Sequence, residues 1–256
     1  VENEMNDYKK TIGIIGGMGP LATVDLFRKI VTMTEANSDN DHIHILIDNY
    51  TAIPDRTNYI LGHGEDPKKY LIKSALKLEG MGADVIIMAC NTAHYFYDEM
   101  EKYIHIPFIN MIEEVAKKIN PQIRKVGLLA TEGTCKVGIY DKVLNRYDIE
   151  VIKPNDTDQN IISDLIYSIK KGRKGCNLDH INSVLSHFKL QNIDTVILGC
   201  TELPIAFQTL NIKGDFIDPT KILAQSAIEF VGKKVISYPT KILTQSEIKS
   251  VRKKVS

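Results

Sequence analysis

The chain has 256 residues, a hydrophobic fraction of 43%, and 32 basic side chains balanced by 32 acidic ones. That length suits one large domain or two lobes of about 100 to 120 residues each. A net charge of zero leaves no basic footprint for nucleic acid and no polybasic membrane signal, and no stretch stays apolar long enough to cross a bilayer.

In chain order, Thr11-Ile12-Gly13-Ile14-Ile15 reads as a strand that runs into Gly16-Gly17-Met18-Gly19-Pro20. Apolar spacing then predicts a helix over 21–37, a strand over 44–49, a loop over 49–56 containing Pro54, and a helix over 67–81. Residues 84–89 are almost continuously apolar, as a strand buried on both faces should be. Cys90-Asn91-Thr92-Ala93-His94 stands where that strand ends and a helix should begin. Phe108-Ile109-Asn110 reads as a short closing strand.

The second half follows the same plan. Residues 126–130 read as its first strand, Thr131-Glu132-Gly133-Thr134 as the entry to a helix, and 150–152 as a strand. Helical stretches are expected over 160–171 and 178–190, and a buried strand over 195–199 that ends at Cys200-Thr201-Glu202. Phe216-Ile217-Asp218 takes the closing place. Strands alternating with helices argue for parallel α/β sheets. Gly13 matches Gly127, Asp84 and Cys90 match Asp194 and Cys200, and the two closing tripeptides match, all in one order at nearly constant separation. The chain therefore reads as a duplicated α/β unit. A plainer repeat ends it, with Pro219-Thr220-Lys221-Ile222-Leu223 recurring as Pro239-Thr240-Lys241-Ile242-Leu243. Its second copy, within a tail over 236–256, is expected to lie outside the main body.

The opening Val1-Glu2-Asn3-Glu4-Met5 lacks the basic start and apolar core of a signal peptide, so a cytoplasmic location is expected. There the four cysteines, Cys90, Cys135, Cys176 and Cys200, should be free thiols. None forms a C-x-x-C pair, and His42 and His44 lack a third ligand nearby, so no metal site is expected. The glycine motif lacks the lysine of a phosphate loop, which argues against a nucleotide.

Ligands of open parallel sheets bind beyond the carboxyl ends of the strands, where Cys90 and Cys200 both fall. A helix start at each would favour thiolate and bring a cysteine within range of base chemistry near neutral pH. Racemisation needs a base and an acid on opposite faces of one carbon, with roles that exchange when direction reverses. Like residues on facing, pseudo-symmetric units meet that need. Asn91, Thr92 and Thr201 offer donors beside the cysteines, and N–H groups around Met18 and Thr131 offer more. Arg56, in Pro54-Asp55-Arg56-Thr57, is placed to grip a second carboxylate. Cys135 and Cys176 have no counterparts and read as structural. His94 follows Cys90 by four residues, either to tune the thiol or as a supporting or surface residue.

Gly16-Gly17-Met18-Gly19-Pro20-Leu21-Ala22-Thr23, Ala89-Cys90-Asn91-Thr92-Ala93-His94 and Gly199-Cys200-Thr201-Glu202 together resemble the aspartate/glutamate racemase family. Ile53-Pro54-Asp55-Arg56-Thr57 is most similar to its aspartate branch. The resemblance spans about residues 10–234. It implies two pseudo-symmetric Rossmann-like lobes, each a parallel sheet flanked by helices, with the active site in the cleft between them. The implied lobes are 5–117, joined by a helix at about 219–235, and 118–218. It further implies racemisation of aspartate, or also glutamate, without pyridoxal phosphate, metal or nucleotide, by a homodimer. By this resemblance Cys90 and Cys200 are the acid/base pair. Met18, Pro54, Asp55, Asn91, Thr92, Ala93, Thr131, Thr201 and Glu202 would line the substrate, and Arg56 would bind its side-chain carboxylate. A lysine shares that task in some members, and Lys171 is the best match, with Lys170 beside it. Glu202 stands where glutamate racemases carry histidine, which argues against a dedicated glutamate enzyme. Two alternatives remain open: another cysteine enzyme of the wider superfamily, such as a broad-spectrum or hydantoin racemase or a maleate isomerase, and a non-catalytic two-lobed protein that binds a small acid.

Overall fold

The computed structural model describes residues 9–172 and 177–237. Strands β1 (Ile12–Gly16), β2 (Ile45–Asn49) and β3 (Val85–Met88) form a parallel sheet in the order β2-β1-β3. Strands β4 (Lys125–Ala130), β5 (Glu150–Ile152), β6 (Thr195–Gly199) and β7 (Asp215–Ile217) form a second parallel sheet in the order β5-β4-β6-β7. The helices are α1 (Pro20–Met33), α2 (Arg56–Ile60), α3 (Lys68–Gly80), α4 (Tyr97–Met100), α5 (Met111–Lys118), α6 (Glu132–Val137), α7 (Ile139–Leu144), α8 (Asp156–Lys170), α9 (Leu178–Leu190), α10 (Glu202–Thr209) and α11 (Pro219–Phe230). This is the α/β architecture of two lobes that the sequence led one to expect. Among the described residues no helix is long and apolar enough to cross a membrane.

Every residue of β1, β3 and β6 is buried. Helices cover both faces of each sheet, which is why these strands carry unbroken apolar runs instead of alternation. The matching glycines have a matching cause. A Cβ on Gly13 would come within 2.9 Å of Ala83 Cβ and Ile86 Cδ1, and one on Gly127 within 3.1 Å of Phe188 Cδ1 and Val196 Cγ2. In each lobe the neighbours of the first strand leave little room for a side chain at this position.

The final helix returns to the first sheet. Leu223, Ala224, Ala227 and Ile228 of α11 bury against Leu26, Ile30 and Met33 of α1 and Met111 of α5. Asp218 caps α11 through Oδ1, which accepts from the N–H groups of Thr220 and Lys221. Its Oδ2 meets Lys29 Nζ at 2.7 Å, and Lys29 also meets Asp25 at 2.6 Å. Burial alone would lower the Lys29 ammonium, but the two carboxylates overcome it and hold its pKa above the ordinary value.

Several boundaries differ from expectation for local reasons. Helix α1 stops at Met33, because Thr34 turns to extended backbone and bridges Val235. Phe108-Ile109-Asn110 makes a single parallel bridge, Ile86 to Phe108, and no strand. Asn110 Oδ1 already accepts from the N–H groups of Ile112 and Glu113, so the chain enters α5 at once. The bridge still lies beside β3 as β7 lies beside β6, which preserves the duplication. Part of the expected 49–56 loop borders a helix, since Asp55 accepts from Asn58 N and starts α2. Helix α8 begins at Asp156, ahead of the expected 160, because Asn155 caps it through Asp158 N. The repeated C-terminal segment, from 238 onward, lies outside the described residues.

Candidate active site

Cys90 follows β3 and Cys200 follows β6, the corresponding strands of the two sheets, and each is 5% exposed. Their helical surroundings differ from the expected pair of helix starts. Cys200 stands directly before the Thr201 cap of α10, but Cys90 leads into a 3-10 turn over Thr92–Phe96 and only then into the short α4. The thiol shift expected from a helix start is also reversed at Cys200. Burial first, and then the adjacent Glu202 carboxylate, raise its pKa well above the ordinary thiol value, while Lys170 pulls it down. A helix terminus offsets only part of what desolvation costs a thiolate.

Glu202 is 2% exposed. Its Oε2 accepts from Cys200 Sγ at 3.0 Å and from Thr201 Oγ1 at 3.2 Å. Glu202 also lines a cavity of about 260 Å³, together with Met18, Gly19, Ile53, Asp55, Arg56 and Lys170 among others, and neither cysteine is on its wall. Burial alone would lower the Lys170 ammonium, but the fields of Cys200, Glu202 and Cys90 outweigh burial and nearby Arg56, and hold its pKa raised. Lys171, the residue expected from the sequence, is exposed and does not line this cavity. At the last turn of α8 one position sets which of two adjacent lysines faces inward, and a loose local motif does not encode that rotation.

Arg56 is 6% exposed and held by backbone carbonyls. Its Nη1 donates to Ile53 O at 3.3 Å and Pro54 O at 2.9 Å, and its Nη2 donates to Met18 O at 3.1 Å. Its Nε is buried without a partner among the described residues. Those three bonds leave Nε–H and one Nη2–H, enough for a bidentate carboxylate grip. Asp55 is committed to capping α2 through Asn58 N at 2.8 Å.

Asn91 carries a second orphan. Its Oδ1 accepts from Tyr140 OH at 2.5 Å, which fixes the amide so that Nδ2 points elsewhere, and Nδ2 is buried without a partner among the described residues. An unmet buried donor costs about 1–3 kcal/mol, so each of these two groups calls for an acceptor. Tyr140 was not anticipated. It reaches Asn91 from helix α7 of the other lobe, a contact no local pattern announces. Ala93 packs into the core and offers no polar side chain.

The lobes meet through small side chains. Thr92 Oγ1 lies 3.0 Å from Thr131 Oγ1 and 2.8 Å from Thr134 Oγ1, and Thr131 and Thr134 are 3.0 Å apart. Thr131 also caps α6. Helix α6 packs on α2, where a Cβ on Gly133 would fall 3.0 Å from Thr57 Cα. The hydroxyls of Thr92 and Thr131 are thus engaged with one another across the cleft.

His94 does not tune the Cys90 sulfur. Its Nε2 accepts from Met111 N at 3.1 Å, so Nδ1 carries the proton and donates to Cys90 O at 2.8 Å. Burial lowers its pKa from 6.5 to about 4, and the ring is neutral near pH 7. It fixes the backbone at Cys90. Cys135 Sγ donates to Gln159 Oε1 at 3.4 Å, and burial pushes its thiol up to about 12. Cys176 lies outside the described residues.

Comparison with known proteins places the chain in a family. The Asp/Glu/Hydantoin racemase family matches residues 15–227. The broad specificity amino-acid racemase RacX of Bacillus subtilis is 32% identical over 222 residues, covering 85% of this chain and 96% of that protein. The solved structure of Picrophilus torridus aspartate racemase superposes with a TM-score of 0.77 at 34% identity, covering 89% of this chain and 96% of the other. An aspartate racemase homologue from Pyrococcus horikoshii gives 0.69 at 28% identity, covering 88% and 99%. A glutamate racemase from Francisella tularensis, at 22% identity and 0.64, shares the fold. With the family matched across most of its length, the chain belongs to the Asp/Glu/hydantoin racemase family.

Proposed function

We propose that this racemase interconverts L- and D-aspartate without a cofactor, with Cys90 and Cys200 exchanging the roles of acid and base at Cα. The observation that carries this reading is the placement of two buried cysteines, Cys90 and Cys200, after corresponding strands β3 and β6 of the two sheets. A carbon held between them loses its proton to one sulfur and gains one from the other. The orphan Asn91 Nδ2 is suited to the α-carboxylate, on which negative charge develops when the proton leaves. Arg56 and Lys170 together suit the side-chain carboxylate. The similarity to a broad specificity racemase supports a wider reading in which the same chemistry accepts other amino acids.

The test is incubation with L-aspartate in deuterated buffer, following α-deuterium and D-aspartate together, alongside Cys90→Ala and Cys200→Ala. Deuterated D-aspartate from the parent, with racemisation lost in both variants, is the expected result. Turnover of other amino acids in place of aspartate corrects the substrate and keeps the mechanism. Full racemisation by either variant overturns the two-cysteine reading.

A further inference from the structure

One side chain touches the chain neighbours of both cysteines. Tyr140 is the second residue of α7 and is fully buried, among Val126, Leu128, Ala130 and Ile197 of the second sheet. Its ring lies against Gly199, the residue before Cys200, where a Cβ would fall 3.2 Å from Tyr140 Cε2 and 2.6 Å from Leu128 Cδ1. Its hydroxyl crosses to the first lobe and donates at 2.5 Å to Oδ1 of Asn91, the residue after Cys90. Burial first, and then the fields of Cys200 and Asp218, hold the phenol pKa well above its ordinary value, so the proton stays on the oxygen near pH 7. Helix α7 packs on α5 of the first lobe, and Lys142 with Asp98 and Arg146 with Glu113 pair across the same boundary. Those pairs are largely exposed and hold little by themselves, whereas the bond to Asn91 is the buried end of the contact.

We propose that Tyr140 is a positioning residue for the reaction: its hydroxyl locks the Asn91 amide with Nδ2 toward the substrate α-carboxylate, and its ring braces that lock on the strand end that carries Cys200. This rests on the racemase reading above and deepens it. An asparagine amide is an acceptor at one end and a pair of donors at the other, and its terminal torsion has two settings half a turn apart. A protonated phenol at hydrogen-bond distance selects the setting that turns Oδ1 toward it. The opposite setting would offer Oδ1 to the carboxylate, and two acceptors repel. The selection matters most as the α-proton leaves, because charge then builds on the α-carboxylate and an aimed donor gains strength. The hydroxyl belongs to one lobe and the amide to the other, so the donor is set only when the lobes stand at this separation. A single rigid ring thus relates the residue after one cysteine to the residue before the other.

The first experiment is a double-mutant cycle on racemisation of aspartate. Tyr140→Phe keeps the ring against Gly199 and removes only the hydroxyl. It should lower kcat by about 30-fold and raise KM by less than about threefold, because the aimed donor acts mainly as charge develops. In an Asn91→Ala background the same substitution should change kcat by less than about twofold, since no amide is left to set. Equal losses in the two backgrounds would make Tyr140 a packing residue and overturn the proposal. The second experiment does not require turnover. In a full-length chain labelled with nitrogen-15 asparagine, the Asn91 Nδ2 pair is the side-chain signal that Asn91→Ala removes. Tyr140→Phe should shift that pair and speed its exchange with water. An unmoved pair sinks the proposal whether or not the chain racemises anything, whereas a moved pair with a silent parent enzyme leaves the lock in place and removes the racemase reading alone. Should the phenylalanine variant not fold, the Tyr140 hydroxyl proton of the parent decides the matter. Held on Oδ1, it exchanges slowly enough to be seen and is lost in Asn91→Ala, and a hydroxyl signal indifferent to that change overturns the lock.

Discussion

Lowering the pH should weaken this fold through one ring, His94. The imidazole is buried, donates from Nδ1 to Cys90 O, and accepts at Nε2 from Met111 N, so it fits its place only when neutral. In the unfolded chain it gains a proton as pH falls through 6.5, whereas in the fold burial delays that step until about 4. Its folded pKa is the lower of the two. The stability it contributes is therefore fully present above about 6.5 and is lost as pH falls toward about 4. At about 1.36 kcal/mol per pH unit, the loss across that window is about 3 kcal/mol. Urea unfolding of the parent and of His94→Gln, repeated at several pH values between about 7 and 4, measures it. The variant should be weaker near pH 7, where it lacks the ring, yet fall by about 3 kcal/mol less on acidification. Other titrating groups are common to both chains and cancel in the difference. Parallel losses in the two chains would refute the assignment of a neutral, buried His94.

Lys170→Ala should raise KM for aspartate about tenfold or more, as loss of a charged contact does, while Lys171→Ala at the exposed neighbour should change it by less than about twofold; equal effects would mean that α8 presents a different face to the cavity. Lys29→Met leaves Asp218 without its ammonium and Asp25 with Arg28 alone, and should cost about 3 kcal/mol in denaturant unfolding. Gly133→Val places side-chain atoms against the Thr57 backbone at the contact of α2 with α6. It should cost about 1–3 kcal/mol and slow racemisation by displacing one lobe relative to the other, so an unchanged thermal midpoint with full activity would contradict the tight approach. Cys135, whose thiol is pushed up to about 12, should resist iodoacetamide at neutral pH in the folded chain and react on unfolding.

Much of the architecture was legible before any coordinates. The runs 84–89 and 195–199 are apolar throughout because their strands are covered on both faces, and the duplication was visible in Gly13 with Gly127 and Cys90 with Cys200. Boundaries were missed where a polar cap hides a helix start, as at Asn155 before α8 and Asp55 before α2. Asn110 has the sequence pattern of a strand end although its side chain caps α5. In each case a short-range hydrogen bond decided the element, and periodicity does not register such bonds.

The candidate site divides along the same line. The sequence by itself determined which residue types stand at the ends of the two central strands, since strand length and apolar pattern settle where Cys90 and Cys200 emerge. Only the tertiary structure decided that Lys170 enters the cavity in place of Lys171, that Tyr140 from the other lobe holds the Asn91 amide, and that the Cys200 thiol is raised where a helix start alone would lower it. Those outcomes depend on helix rotation, on contacts between distant segments and on the depth of burial. Each is a property of three-dimensional packing, and the local order of residues does not contain it.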